Sequence, residues 1–296
     1  MIYDIIIIGM GPAGIGAAIY AKRSGLSILC LEKNMPGGYV NFIDNIENYI
    51  GESSISGSDL AIRFYNQVKY NEIAYQTRNV TAIENHPEYK LVITDKDEFK
   101  AHHVIVATGQ RPKRLNIDNE AKLLGKGVST CALCDGPLYK GQDVVVIGGG
   151  NSALSEAIYL SKICRQIYLV HRRSDFKADN IFVEKIKQIP NIELVLNSNV
   201  TKIIEENNKV SGVLLDTDRQ LAVAGVFIYI GSLPATNFLK DLDILDQDGY
   251  ITVDEKYESK VAGIYGAGDA IKKEAYQIIP AVNDGIMAAI SISKKI

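Results

Sequence analysis

Short apolar runs that end in glycine recur along this chain, and the longest ones are followed by stretches with helical spacing. Asp4 to Ile8 is the first run. An unbroken apolar strand of that kind suits the centre of a parallel sheet, dry on both faces. Gly9 follows at once, Ala13 to Arg23 has helical character, and Ser27 to Leu31 predicts a second strand closed by Glu32. The same order returns later: Asp143 to Ile147, a turn opened by Gly148, a helix to about Ile163, and a strand Gln166 to Val170. That strand ends in His171-Arg172-Arg173. Val104 to Gly109 and Leu221 to Gly231 are late apolar strands, each closing in glycine, and Gly263 to Asp269 is a third. Pro280 to Ile292 carries the helical pattern Ile286, Ala289, Ile290. The stretch from Glu205 to Lys209 reads as a hairpin turn.

Strands alternating with helices predict an α/β protein. The repeated order predicts two Rossmann-like, three-layer ββα nucleotide-binding domains, the second inserted into the first. With Gly266-Ala-Gly268-Asp269 assigned beside the first glycine turn, residues 1–112 and 245–296 form one discontinuous domain. Residues 113–244 form the inserted one; Pro112 and the stretch Gly231 to Pro234 lie near the expected crossings, with 238–244 as its far boundary.

Composition narrows the function classes. The 296 residues carry a net charge of -3 with acids and bases well mixed, which leaves no electrostatic footprint for nucleic acid. No apolar run reaches the 18 or so residues of a membrane span. The N-terminus lacks the basic segment and cleavage site of a signal peptide. Four cysteines do not make a disulfide scaffold, so a cytoplasmic location is expected. No His/Cys cluster has zinc spacing, and no metal site is expected.

The first turn, Gly9-Met-Gly11-Pro12-Ala13-Gly14, sits in full strand-turn-helix-strand context. There the first glycine allows the tight turn, the second admits a pyrophosphate, and the third packs the helix on the strand. Glu32 is placed to accept hydrogen bonds from a ribose and to repel a 2'-phosphate, so FAD or NAD fits better than NADP. The second turn runs Gly148-Gly149-Gly150-Asn151-Ser152-Ala153. Here the acid is replaced by His171 (a cation when protonated), Arg172 and Arg173, with Lys177 close by. Cations match a 2'-phosphate, and arginine does so bidentately.

Between the two turns lies Cys131-Ala-Leu-Cys134. Such a pair is either half of a zinc site or a redox couple. No second pair exists, while Cys30 and Cys164 occupy apolar positions suited to buried structural cysteine. The redox couple is favoured. Asp135 is either a proton carrier in a partly desolvated pocket or a plain turn residue in Asp-Gly-Pro. Lys126 and Lys140 are candidates to hold a thiolate.

In combination these motifs resemble, over essentially the whole chain, the low-molecular-weight thioredoxin reductase family of bacteria and archaea. The match runs through Gly9, Gly11 and Gly14, then Gly37-Gly38, Glu47-Asn48 and Ala107-Thr108-Gly109. It continues through Cys131 to Gly136, Gly148 to Ala153, His171 to Ala178, Gly231 to Pro234 and Gly268-Asp269. The resemblance implies a homodimeric enzyme in which NADPH reduces FAD and FAD reduces a Cys131–Cys134 disulfide. Cys134 would lie nearest the flavin. Cys131 would attack thioredoxin or a similar small dithiol protein, and one domain would rotate between half-reactions. It also implies flavin contacts at Lys33, Tyr39, Val80, Tyr276, Gln277 and Ile278.

Departures from the family pattern bear on donor and acceptor. Tyr39 stands where the family usually has Gln, Ala275-Tyr276 where it has Tyr-Arg, Asn151 where it has Asp, and Lys177 where it has Arg. Tyr39 and Tyr276 either stack near the flavin or serve as core aromatics. The alternative function is a related flavin dithiol reductase with another donor, such as ferredoxin, or another acceptor.

Overall fold

In the computed structural model, which describes residues 1–296, the first apolar run is strand β1 (Ile2–Ile8). Its residues alternate between two cores: Ile5 and Ile7 pack into one, Ile6 and Ile8 into the other. Both faces being covered, the run needs no polar side. Helix α1 (Pro12–Arg23) leads to β2 (Ile28–Glu32), which pairs parallel with β1. Helix α2 (Gly57–Tyr70) starts at Ser56, whose hydroxyl accepts the Asp59 N–H, and leads to β3 (Tyr75–Thr77). Strands β4 (Val80–Asn85), β5 (Lys90–Thr94) and β6 (Glu98–Val106) follow; β4 and β5 are antiparallel, as are β5 and β6. The upper part of β6 runs parallel to β1.

The chain leaves this unit through β7 (Gln110–Pro112). The short helix α3 (Glu120–Leu123), strand β8 (Val128–Ser129) and helix α4 (Ala132–Asp135) precede β9 (Asp143–Gly148) and α5 (Asn151–Ser161). Next come β10 (Gln166–His171), α6 (Asn180–Lys187) and β11 (Ile192–Leu196). Strands β12 (Val200–Glu206), β13 (Lys209–Leu215) and β14 (Gln220–Leu221) form an antiparallel meander, and β15 (Gly225–Tyr229) returns to the main sheet. The expected hairpin is present: Asn207 and Asn208, with φ of 52° and 63°, make the turn between β12 and β13. The parallel sheet has the order β11-β10-β9-β15-β8. Val144 and Val146 face the core shared with α5 and α6, Val145 and Ile147 that of the meander.

After β16 (Ser232–Pro234) the chain rejoins the first unit, where β17 (Ile264–Gly266) pairs parallel with the end of β6. The last helix, α7 (Ile278–Ser293), lies against α1. The approach depends on missing side chains: a Cβ on Gly285 would stand 1.9 Å from the Ala13 carbonyl oxygen.

The chain thus divides into two compact units, Met1–Arg111 with Leu233–Ile296, and Pro112–Ser232. The return crossing falls at Ser232, within the Gly231–Pro234 stretch, and the domain boundary lies ahead of the expected residue 244. Phe238, Leu239, Leu242 and Ile244 explain the difference, since all pack with Ile6 and Ile8 in the first unit. No helix is long and apolar enough to cross a membrane.

Candidate active site

In the first unit the glycine turn is built by close approach. Gly9 adopts φ of 96°, and a Cβ there would stand 2.4 Å from the Ala107 carbonyl oxygen. A Cβ on Gly14 would meet the Gly9 carbonyl oxygen at 1.8 Å. Gly11, by contrast, has only the Gly38 Cα near it, at 3.9 Å, and it is the N-cap of α1 with no side-chain cap. Turn, packing and free space are thus divided among the three glycines as the sequence predicts. Pro12 opens α1, Ala13 is buried against Gly268, and the first turn of the helix carries no acid. Its N–H groups are left for an anion.

Around this turn the other predicted residues of the first unit converge. The Gly37 N–H donates to the Met10 carbonyl at 2.7 Å, bringing Gly37-Gly38 over the turn. Glu32 accepts the Met10 N–H on Oε2 (2.7 Å) and the Asn34 N–H on Oε1 (2.8 Å). The carboxylate is therefore fixed by backbone, and each oxygen retains a lone pair for a ribose hydroxyl. Lys33 is exposed beside it. The Arg78 N–H donates to the Glu32 carbonyl at 2.9 Å, which holds the chain before Val80 near the same strand end. Asn48 donates from Nδ2 to Gln277 Oε1 at 3.1 Å. Gln277 is the N-cap of α7, where Ile278 begins; this helix end also lacks a side-chain cap.

Two of the buried polar atoms in this unit that lack a hydrogen bond lie at the cradle: Thr108 Oγ1, followed by the left-handed Gly109, and Asp269 Oδ1 beside Gly268, whose nearest cation is Lys273 Nζ at 3.5 Å. Orphaned buried atoms are rare unless a ligand group meets them. Together with the space over Gly11 they fit the polyol and diphosphate of a dinucleotide. Burial pushes the Asp269 carboxyl above the usual carboxylate range, and Lys273 opposes that rise. Tyr39 and Tyr276 are not core aromatics. Tyr39 is 55 % exposed and edge-on to Phe42, while Tyr276 is 37 % exposed and 6.0 Å from the Tyr250 ring.

The second unit repeats the glycine geometry. Gly148 has φ of 150°, with the Tyr229 carbonyl oxygen 2.2 Å from where a Cβ would lie; Gly150, the N-cap of α5, has nothing within 4 Å. Ala153 is buried at the packing position, and Ser152 is exposed in the first turn of α5. Arg172, Arg173 and Lys177 are exposed. His171 does not join them as a cation. Its ring lies under Gly149, where a Cβ would come within 2.2 Å of it, stacks on Phe176 at 5.4 Å, and engages the Asp175 carbonyl through Nε2 at 3.1 Å. Burial, the main cause, pushes its pKa down, aided by the two arginines. Gly231, with φ of 98°, stands at the crossing beside Lys113 and is not adjacent to this turn in the chain.

The dithiol is a formed disulfide, Cys131–Cys134, with Cα atoms 5.3 Å apart. Cys131 caps α4: its Sγ accepts the Cys134 N–H at 3.1 Å. Cys134 is exposed and Cys131 half-buried. Asp135 accepts a 2.6 Å hydrogen bond from Ser129, whose oxygen in turn accepts the Cys131 N–H at 3.0 Å. The Ala132 N–H donates to the Tyr229 hydroxyl at 2.7 Å. Asp135 is therefore tied to the disulfide through one hydroxyl. Ser129 and Tyr229 carry no motif that marks them as site residues, because they reach the disulfide from the ends of β8 and β15. Lys126 and Lys140, the candidate thiolate partners, are both exposed. Cys30 and Cys164 are buried and free; burial raises both thiols, Cys30 to about 12 and Cys164 to about 11. No cluster of three His, Cys, Asp or Glu residues has metal-binding geometry.

This arrangement of two glycine cradles and a redox disulfide agrees with known proteins. The family model for pyridine nucleotide-disulphide oxidoreductases matches residues 3–285. A thioredoxin reductase of Bacillus subtilis is 39 % identical over 296 residues, covering 98 % of this chain and 94 % of its own. The crystal structure of Lactococcus lactis thioredoxin reductase superposes with a TM-score of 0.95 at 36 % identity, over 99 % of this chain and 98 % of that one. That of T. acidophilum thioredoxin reductase gives 0.92 at 37 %, with the same coverage. The chain belongs to the pyridine nucleotide-disulphide oxidoreductases, in their low-molecular-weight thioredoxin reductase type.

Proposed function

We propose that this protein is an NADPH-dependent thioredoxin reductase that carries FAD and delivers electrons through Cys131–Cys134 to thioredoxin or a thioredoxin-like protein. The observation that carries the reading is a disulfide hydrogen-bonded to its own carboxylate relay, in a chain with two open glycine cradles of opposite charge character. In the first cradle Gly9, Gly11, Pro12, Ala13, Gly14, Glu32, Gly37, Gly38, Thr108 and Asp269 hold FAD. Lys33, Tyr39, Asn48, Val80, Ala107, Gly109, Gly268, Tyr276, Gln277 and Ile278 complete that site. In the second, Gly148 to Ala153 hold the diphosphate of NADPH and Arg172, Arg173 and Lys177 its 2'-phosphate. His171 supports the turn from beneath, and Gly231 shapes the crossing nearby. The bound cofactors supply a hydride donor and a two-electron carrier that ends on sulfur.

The protein's own part starts with the reduced pair. The Cys131 thiolate attacks a sulfur of the acceptor disulfide, forming a mixed disulfide and releasing one acceptor thiolate. The Cys134 thiolate then attacks Cys131 Sγ, re-forming the intramolecular bond and releasing the second thiolate. Two protons balance the acceptor's new thiols, and Asp135, held by Ser129, moves one between sulfur and solvent. The α4 backbone stabilises the Cys131 sulfur by donating the Cys134 N–H to it. The enzyme works as a homodimer in the cytoplasm, consistent with few cysteines and a reducing task.

Anaerobic titration of the flavin-loaded protein tests the reading. NADPH should bleach the flavin, NADH should do so poorly, and added thioredoxin should then be reduced. Reduction by ferredoxin but not by NADPH would replace the donor. Reduction by NADPH without turnover of thioredoxin would replace the acceptor.

A further inference from the structure

The segment that follows β10 is fastened across the second glycine turn by contacts that end on Asp179, just beyond the nucleotide motif. Three ties hold it. His171 Nε2 engages the Asp175 carbonyl, the Lys177 N–H donates to the Gly149 carbonyl at 2.8 Å, and Asn151 and Asp179 bond reciprocally. In the last, Asn151 Nδ2 donates to Asp179 Oδ2 (2.9 Å) and the Asp179 N–H donates to Asn151 Oδ1 (2.7 Å). Asn151 is the first residue of α5 and Asp179 the N-cap of α6, so this pair joins two helix starts. Lys177 carries the second tie on its backbone and stands two residues before the third. Its exposed side chain therefore springs from a backbone held against Gly149-Gly150.

We propose that the Asn151–Asp179 side-chain pair is a positioning latch for 2'-phosphate recognition, setting the place of Lys177 through the backbone. The inference rests on the NADPH reading above and adds a specificity determinant to it. It also accounts for the asparagine. A carboxylate at 151 would set one anionic oxygen about 3 Å from another at Asp179, opposing the latch instead of closing it. With Asp179 in place, position 151 has to donate, and asparagine is the residue that both donates and accepts there. The latch is thus a property of the pair, and the two positions are exchangeable.

Isothermal titration of the flavin-loaded, oxidised protein with adenosine 2',5'-bisphosphate and with AMP, which differ only in the 2'-phosphate, reads the latch apart from turnover. The quantity is the ratio of the two affinities. Asn151→Asp should lower that ratio about fivefold to tenfold, less than the loss of a whole charge-assisted hydrogen bond, because Lys177 is displaced and not removed. Asn151→Asp combined with Asp179→Asn should restore it, since the amide and the carboxylate have then only changed places. An unchanged ratio in the single variant, or no recovery in the double, overturns the latch. If the single variant binds neither probe, Asn151→Ala, which opens the pair without adding charge, has to show the same fall in ratio or the latch is overturned. Failure of the NADPH reading looks different: the unsubstituted protein would then bind both probes equally.

Discussion

Lys273 Nζ lies 2.8 Å from Asp284 Oδ2 and 3.5 Å from Asp269 Oδ1, with both Lys273 and Asp284 largely buried. Asp284 also accepts the Gly268 N–H on Oδ2 at 3.2 Å and the Tyr257 hydroxyl on Oδ1 at 3.1 Å. One carboxylate on α7 therefore fixes both the glycine and the lysine that flank Asp269. Removing it leaves a buried ammonium with only the more distant Asp269. Asp284→Ala should destabilise the protein by about 3–5 kcal/mol. Asp284→Asn, which keeps an acceptor, should cost less. Urea unfolding with flavin content measured alongside checks this; equal stability of the alanine variant and the unsubstituted protein would show that the cluster does not hold the site.

Thiol accessibility follows from burial. Cys30 and Cys164 are 0 % and 5 % exposed, while Cys134 is at the surface and bonded to Cys131. A chromogenic disulfide reagent should find no reactive thiol in the oxidised native protein and two after mild reduction. Reduction in denaturant should expose all four. A thiol that reacts before reduction would contradict the pairing.

Cys30 also sets an alkaline limit. Burial holds its thiol at about 12, above its ordinary value. Folding therefore favours the protonated form. Below the unfolded pKa near 9 the contribution is fully present, and it is lost as pH rises from there through the folded value. Relative to Cys30→Val, the unsubstituted protein should lose about 1.4 kcal/mol for each pH unit above roughly 9. Parallel urea-stability curves for the two proteins between about pH 8 and 10.5 would show that the thiol is not so protected.

Much of the fold and site is legible in the sequence because it is written locally. Apolar runs ending in Gly9 and Gly148 announce buried parallel strands, and glycine turns between strand and helix announce cradles. What is not legible depends on where segments go. The apolar stretch from Phe238 to Ile244 says that it is buried, without saying in which core, so the sequence carries the inserted domain past the Gly231–Pro234 crossing to 244. His171 reads as a third cation because it adjoins two arginines. Its ring instead turns inward, where only Gly149 leaves room. Ser129 and Tyr229 serve the disulfide from strand ends, and no spacing rule links them to Cys131.

The glycines separate folding from binding. At Gly14 a Cβ would overlap the Gly9 carbonyl, whereas Gly150 has open space and a φ of -103° that any residue adopts. Gly150→Ala should fold with stability changed by no more than about 1 kcal/mol, the range of N-cap exchanges. Its methyl group would occupy the diphosphate's place, so NADPH should bind at least about tenfold more weakly. Gly14→Ala should fail to accumulate as folded protein. Thermal unfolding and stopped-flow flavin reduction together distinguish the two; normal NADPH kinetics in Gly150→Ala would remove the second turn from the nucleotide site.

The arginines provide the last test, on the donor itself. Arg172 and Arg173 follow a strand end where an acid would select an unphosphorylated ribose, and both are exposed while His171 is engaged below the turn. A guanidinium loses little freedom per hydrogen bond formed to phosphate. Arg172→Ala and Arg173→Ala should each cost about 1.5–3 kcal/mol of NADPH binding, roughly ten- to a hundredfold, with NADH little changed. The pair of substitutions should bring the two nucleotides close to parity. Added salt should mimic part of the loss for NADPH, because these charges are screened by solvent. Rapid-mixing measurement of flavin reduction over a range of each nucleotide gives the apparent affinities. If both nucleotides weaken by the same factor, the arginines support the shared diphosphate and do not read the 2'-phosphate. In that case selectivity rests on Lys177 alone.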